Sequence, residues 1–446
     1  MNDGLALPPD LPGLAETEFE APPVDFFTLP NGLEVWVAPR RSVPLAAVQL
    51  VVKGGRAYDP PGRPGLAGLL AAALKEGTAA RSASDVADLL QSAGGELGTG
   101  AGDELLACRT TGLASKLDVL LDVVSDVVRH PAFPERDIER VKANAREELA
   151  TEESDPFFLA DRAFRSALFG GHPYATVAPT PETIDAVTPG LLRAEAASRL
   201  SPRRTLLVVA GDVRLQDVSP LVGRSFGSWS GADDAVVRLA PARTRLDGSS
   251  PVLVPRPGSV QANLAVGAPA PPRTSPDAAA LQIAVTIYGG AFSSRLVSNL
   301  REEKGYTYSP GAGWRSLPAG GRTQTIAAVR TEVAGAALNE ILYELRRMAT
   351  TDVTEEELAR AKGFDAGRLL LAVQTNAGLA GELADQWLHG LPPSALGERV
   401  LALRSVDAAA VRRAARLHLA VPSLAVVAVG EEAPLRKELA PFMPGI

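Results

Sequence analysis

An α+β (α/β) fold made of two homologous halves is what the sequence predicts, on three observations. Apolar strand-like runs are interleaved with amphipathic helical segments. Each half opens on such a run, "AAVQLVVKG" or "QANLAVGAP", and closes on another, "TLLVVAGDV" or "LAVVAVGEE". Two separated regions also repeat at nearly one offset. A shift of 219 puts Val187 on Val406, Ala196 on Ala415 and Val208 on Val427. A shift of 220 puts Lys142 on Lys362 and Leu149 on Leu369. Self-similarity of this kind marks an internal duplication, and the element pattern specifies mixed sheets backed by helices.

Taken in order, residues 1–25 form a Pro-rich tail without a basic n-region or an apolar core, so they do not read as a signal peptide. The first domain is expected over 26–228. In it "PGLAGLLAAALKEGT" (64–78) reads as a helix of good formers, ended by Gly77. The middle of this helix is bare of polar side chains, and Gly68 costs it about 1 kcal/mol against Ala. "ASDVADLLQSAG" is a second helix, "ELLACRTTGL" a strand holding Cys108 as a core thiol, and "PERDIERVKANAREEL" a further helix. Residues 229–250, rich in Gly, Ala, Pro, Ser and Asp, are the expected linker, and 251–446 the second domain. There Ser293 or Ser294 caps a helix that Gly305 ends, and "YTYS" runs extended as far as Pro310.

The chain has 446 residues, 46% of them apolar and 22% charged, with a net charge of −7. That suits packed cores and disfavours a nucleic-acid partner, which needs a basic face. No apolar run reaches the ~18 residues of a membrane span. The chain reads as soluble, and its compartment stays open between cytoplasm and, with a signal already removed, periplasm. One cysteine excludes an internal disulfide and a Cys-based zinc site.

Residue chemistry alone offers little. His130, His172, His389 and His418 are too far apart in sequence to form a zinc helix. No nucleophile elbow and no phosphate loop is present. Glu148 and Glu152 share a helix face at i, i+4, which reads as a solvated acidic face. Arg301 and Tyr308 stand seven residues apart, a fork of donors and a phenolic donor.

Together, "TLPNGLEVWV" with the helix at 64–78, "GGHPYATVAPTPETIDAVT" and "SSRLVSNLREEKGYTYS" resemble the pitrilysin/insulinase family of zinc metallopeptidases, which includes mitochondrial processing peptidase. The resemblance runs over almost the whole chain. It implies a half-shell of two homologous domains. It also explains the bare helix: the family's His, Glu and His positions are Gly68, Ala71 and Ala72 here, and its third zinc ligand falls on Glu148. Gly98 stands at an Asn position of the family's peptide-binding edge strand. The resemblance implies no metal in this chain, with zinc in a homologous partner subunit. It also implies that Arg301 and Tyr308 enter the partner's site to orient a scissile carbonyl and hold an oxyanion. Expected partners are that zinc-bearing subunit, in a dimer, and unfolded peptide held in a closed chamber. The alternative is an inert assembly subunit resembling the core proteins of the respiratory cytochrome complex.

Overall fold

The computed structural model describes residues 21–231, 238–248 and 251–442. Residues 1–20 of the expected tail, and 232–237 and 249–250 of the expected linker, lie outside the described residues. The first sheet consists of β1 (Asp25–Thr28), β2 (Glu34–Pro39), β3 (Leu45–Lys53), β4 (Leu97–Ala101), β5 (Leu105–Leu113) and β6 (Thr205–Gly211), in the order β1-β2-β6-β3-β5-β4. The second consists of β7 (Pro251–Pro255), β8 (Gln261–Ala270), β9 (Gly311–Arg315), β10 (Gly321–Arg330) and β11 (Ala425–Gly430), in the order β7-β11-β8-β10-β9.

The duplication extends to individual residue pairs. β2 runs parallel to β6 and β7 parallel to β11, and every other pairing is antiparallel. Pro39 faces Gly211 at the end of the first parallel pair, and Pro255 faces Gly430 at the end of the second. Among the described residues β1 alone has no counterpart in the second sheet. Helices repeat in step: Glu135–Ser154 with Glu355–Ala372, Pro156–Phe169 with Asn376–Leu388, and Pro189–Arg199 with Ala408–His418.

Burial explains why the central strands are continuous apolar runs. All seven residues of β6 and all six of β11 are buried, as strands covered on both faces must be. In the first sheet Val35, Val37, Leu207 and Val209 face that domain's own helices. Trp36, Ala38, Leu206 and Val208 face the other way, the period of two that a pleat imposes. That second face is covered by Leu379, Leu383 and Trp387 of the helix Asn376–Leu388, which belongs to the other half. The exchange is reciprocal. Phe164, Leu168 and Phe169 of the helix Pro156–Phe169 cover Ala265, Val427 and Val429 of the second sheet. Each half thus completes its partner's core, so the joint is a packed interface and not merely a tether.

Two local expectations need correction. The bare helix is shorter than 64–78 and spans Leu66–Ala73. Gly65 (φ +80°) is its N-cap, and the Asp59 carboxylate accepts from Gly65 N at 2.7 Å and Ala67 N at 2.9 Å. Gly77 (φ +103°) turns the chain beyond the helix and does not cap it. Residues 306–310 are irregular rather than strand, and β9 begins only at Gly311. Pro310 has no N–H to give a ladder, and the edge position leaves the preceding residues without a partner strand.

Candidate functional site

The helices Leu66–Ala73 and Glu135–Ser154 lie side by side and bring Gly68, Ala72 and Glu148 to the wall of one cleft of about 330 Å³. Glu152 joins them one turn after Glu148, with Arg56, Lys75 and Arg140 on the rim. Ala71 differs: it is buried in the first domain's core. A Cβ added at Gly68 would meet no atom within 4 Å, so the cleft has room there for a larger side chain. The donors are what it lacks. Zinc is held by imidazole, thiolate or carboxylate, and Gly68 and Ala72 carry no ligating atom. The residues present do not fit the ion. Burial, then the neighbouring Glu148, raise the Glu152 carboxyl above its ordinary range, and Arg56 only partly offsets them. Arg140 is paired with the buried Glu76.

The four histidines stay apart. His130 pairs with Asp126 and His418 with Asp277. His172 accepts from Tyr174 N in its turn. His389 is buried in the second half, between Ser316 Oγ and the Asp385 carbonyl oxygen. Among the described residues no group of three or more His, Cys, Asp or Glu side chains is placed to hold a metal ion. Cys108 is fully buried, and burial pushes its thiol up to about 12, the opposite of what a nucleophile needs. Gly98 lies on β4, the edge of its sheet, opposite Arg109.

The second cleft, of about 700 Å³, contains both Arg301 and Tyr308. Ser294 caps its helix, as the sequence suggests, accepting from Val297 N. From Ser298 to Glu303 the helix widens into π geometry: Lys304 N donates to the Asn299 carbonyl, and Tyr306 N to that of Leu300. A second π turn, Thr286–Gly290, forms another part of the wall. π turns recur at functional sites because the extra residue re-aims a side chain. Two buried anchors hold the segment. Arg295 donates to both oxygens of Glu357 at 2.7 and 2.8 Å, and Asn299 donates to Glu340 and Glu344.

The Arg301 guanidinium is sandwiched, 4.7 Å from the ring centres of both Phe292 and Tyr308. Both rings are largely in solvent, at 72% and 79% exposure. The one acid paired with Arg301 among the described residues is its neighbour Glu302, at 3.1 Å. Sequence reading singled out Arg301 and Tyr308, which line this one cleft, but not Phe292 or the π turns that line it with them. An exposed aromatic nine residues before the Arg has no helical or strand period to betray it.

Comparison with known proteins agrees with this architecture. Residues 36–178 match the family model described as insulinase (peptidase family M16), and 186–363 match that of the peptidase M16 inactive domain. An uncharacterized zinc protease of Mycobacterium leprae is 29% identical over 350 residues, covering 78% of each chain. One of Streptomyces coelicolor is 27% identical over 406 residues, covering 90% of this chain and 88% of that protein. A peptidase M16 inactive domain from Pseudomonas fluorescens superposes with a TM-score of 0.86 at 24% identity, over 92% of this chain and 98% of that one. A protease from Helicobacter pylori gives the same score at 19% identity, over 92% and 99%. With the two family matches in tandem and both domains in the fold they describe, the chain belongs to the insulinase family of peptidases, family M16.

Proposed function

We propose that this chain is the zinc-free subunit of a two-subunit M16 peptidase, which lends Arg301 and Tyr308 to the zinc site of a homologous partner and helps to enclose an unfolded peptide. The observation that carries the reading is the pairing of two facts. Among the described residues the cleft at Gly68, Ala72 and Glu148 offers no imidazole and no group of three side chains placed to hold a metal ion, while Arg301 and Tyr308 stand together at an open cleft with the Tyr308 hydroxyl making no hydrogen bond among the described residues. A residue kept only for packing would be buried.

In such an assembly the partner's zinc supplies Lewis-acid polarisation of the scissile carbonyl and activation of water. This chain supplies geometry. The planar fork of Arg301, already oriented between two rings, can hold a peptide carbonyl oxygen. The Tyr308 phenol carries an O–H donor that can face a developing oxyanion.

Reconstitution tests the proposal. The purified chain alone should hold no stoichiometric zinc by elemental analysis and should cleave no unfolded peptide. Mixing it with an M16 chain of the same genome that carries an intact His-x-x-Glu-His should create chelator-sensitive peptidase activity. One tightly held zinc per chain, or activity from this chain alone, would overturn the assignment. A stable complex without turnover would point to the inert assembly subunit instead.

A further inference from the structure

Arg322 of β10 and Arg315 of β9 are direct cross-strand partners, so their side chains leave the same face of the sheet. Both line the cleft that holds Arg301. Like charges directly opposite on antiparallel strands repel; here burial, then Arg165 and more weakly Arg315, lower the pKa of Arg322, and Asp161 and Asp103 only partly offset them. Among the described residues no Asp or Glu lines the cleft, in a chain whose net charge is −7. Asp161 is the only acid paired with either arginine among the described residues. It lies 3.6 Å from Arg322 Nη2 and already accepts from Gln324. The repeat supplies a control. Superposing Gly211 on Gly430 brings the matching cross-strand positions of the first sheet to Leu105 and Gly102, which carry no charge. The second sheet alone therefore pairs two cations, beside an exposed aromatic (Phe292) and an apolar wall that includes Trp314 and Ile326.

We infer that the Arg315–Arg322 pair is a carboxylate site, and that the cleft selects peptide segments carrying a negative charge next to an apolar side chain. Two guanidinium groups on one face can grip one carboxylate through charge-assisted hydrogen bonds, which removes their mutual repulsion. The carboxylate comes from an acidic side chain or from the peptide's free C-terminus. The inference names the substrate class of the site proposed above and rests on that reading for its biological use, but binding itself needs neither partner nor zinc.

The test is fluorescence anisotropy with the full chain alone. The probes are one labelled unfolded peptide with a single Glu beside a Leu, its Glu→Gln analogue, and each of these with an amidated C-terminus. The expected result is at least tenfold tighter binding of a carboxylate-bearing probe than of the peptide with neither carboxylate, weakening with salt. Loss of that preference on amidation alone assigns the C-terminus, and loss on Glu→Gln alone assigns the side chain. Arg315→Gln, at an exposed position, should erase the preference while leaving the uncharged probe's affinity within twofold. Arg322→Gln should do the same in any preparation whose Tm is within a few degrees of the parent. Equal binding of all four probes, or a preference that survives Arg315→Gln unchanged, would overturn the inference. Failure to activate a zinc-bearing partner would count against the proposed function and leave this result standing.

Discussion

At the residue scale, Tyr308 and Arg301 are expected to play different parts. Tyr308 is 79% exposed and its hydroxyl makes no hydrogen bond among the described residues, so removing that hydroxyl should leave the fold intact. Losing one donor to an oxyanion typically lowers turnover by about 10²–10³, roughly 2.7–4 kcal/mol. Tyr308→Phe in the reconstituted complex should therefore lower kcat by that factor with KM little changed. Arg301→Ala removes a group held in place by Phe292 and Tyr308 and should raise KM as well as lower kcat. Steady-state kinetics on both variants measures the difference. A Tyr308→Phe complex within about twofold of the parent would make the pair structural.

At the scale of elements, Glu357 joins two helices. It closes the capping box of Glu355–Ala372 with Thr354 and takes both hydrogen bonds from Arg295, at the start of the helix that carries Arg301. The Arg295 hydrogen bond, aided by Thr354, holds the Glu357 carboxyl down at about 2 from an ordinary 4.5. The folded state thus binds this proton less readily than the unfolded chain. The stabilisation is fully present above pH 4.5 and drains away as pH falls towards 2. Glu357→Gln should lower Tm at neutral pH and flatten the Tm–pH profile in that acid window, as measured by circular dichroism. An unchanged profile would show that the pair carries no pH-dependent stability.

At the scale of the whole molecule, the exchanged helices decide how the chain unfolds. Phe164 is fully buried, and its ring would lie 2.9 Å from a Cβ added at Gly267 of β8, so the helix sits tightly on the other half's sheet. Phe164→Ala should cost about 3–5 kcal/mol. Because that helix belongs to the first half in sequence but to the second half's core, the variant should destabilise both sheets together, visible as one shifted calorimetric transition. Residues 251–442 expressed alone would present Val427, Val429 and Ala265 bare and should bind a hydrophobic dye or aggregate. Two independent transitions in the parent chain would contradict this coupling.

Much of the fold was legible because the signals behind it are local or repeated. β3, β6, β8 and β11 are apolar runs that no other element accommodates, and the 219-residue echo needs no spatial knowledge to find. The positions of the candidate site came from the family resemblance, and the structure gathers Arg301 with Tyr308 in one cleft and Gly68 with Ala72 in another. The short extent of the bare helix was not, since its N-terminus is capped by Asp59 from a preceding turn and its sequence propensity continues past Ala73. Nor was the exchange of helices: Pro156–Phe169 and Asn376–Leu388 have amphipathic patterns that state which face is buried but not against which sheet. The Arg315–Arg322 pair is seven residues apart along the chain and becomes a pair only through the β9–β10 register. Composition and period determine which residues must leave water. Long-range packing decides which of them meet, because burial free energy depends on area and not on the identity of the partner.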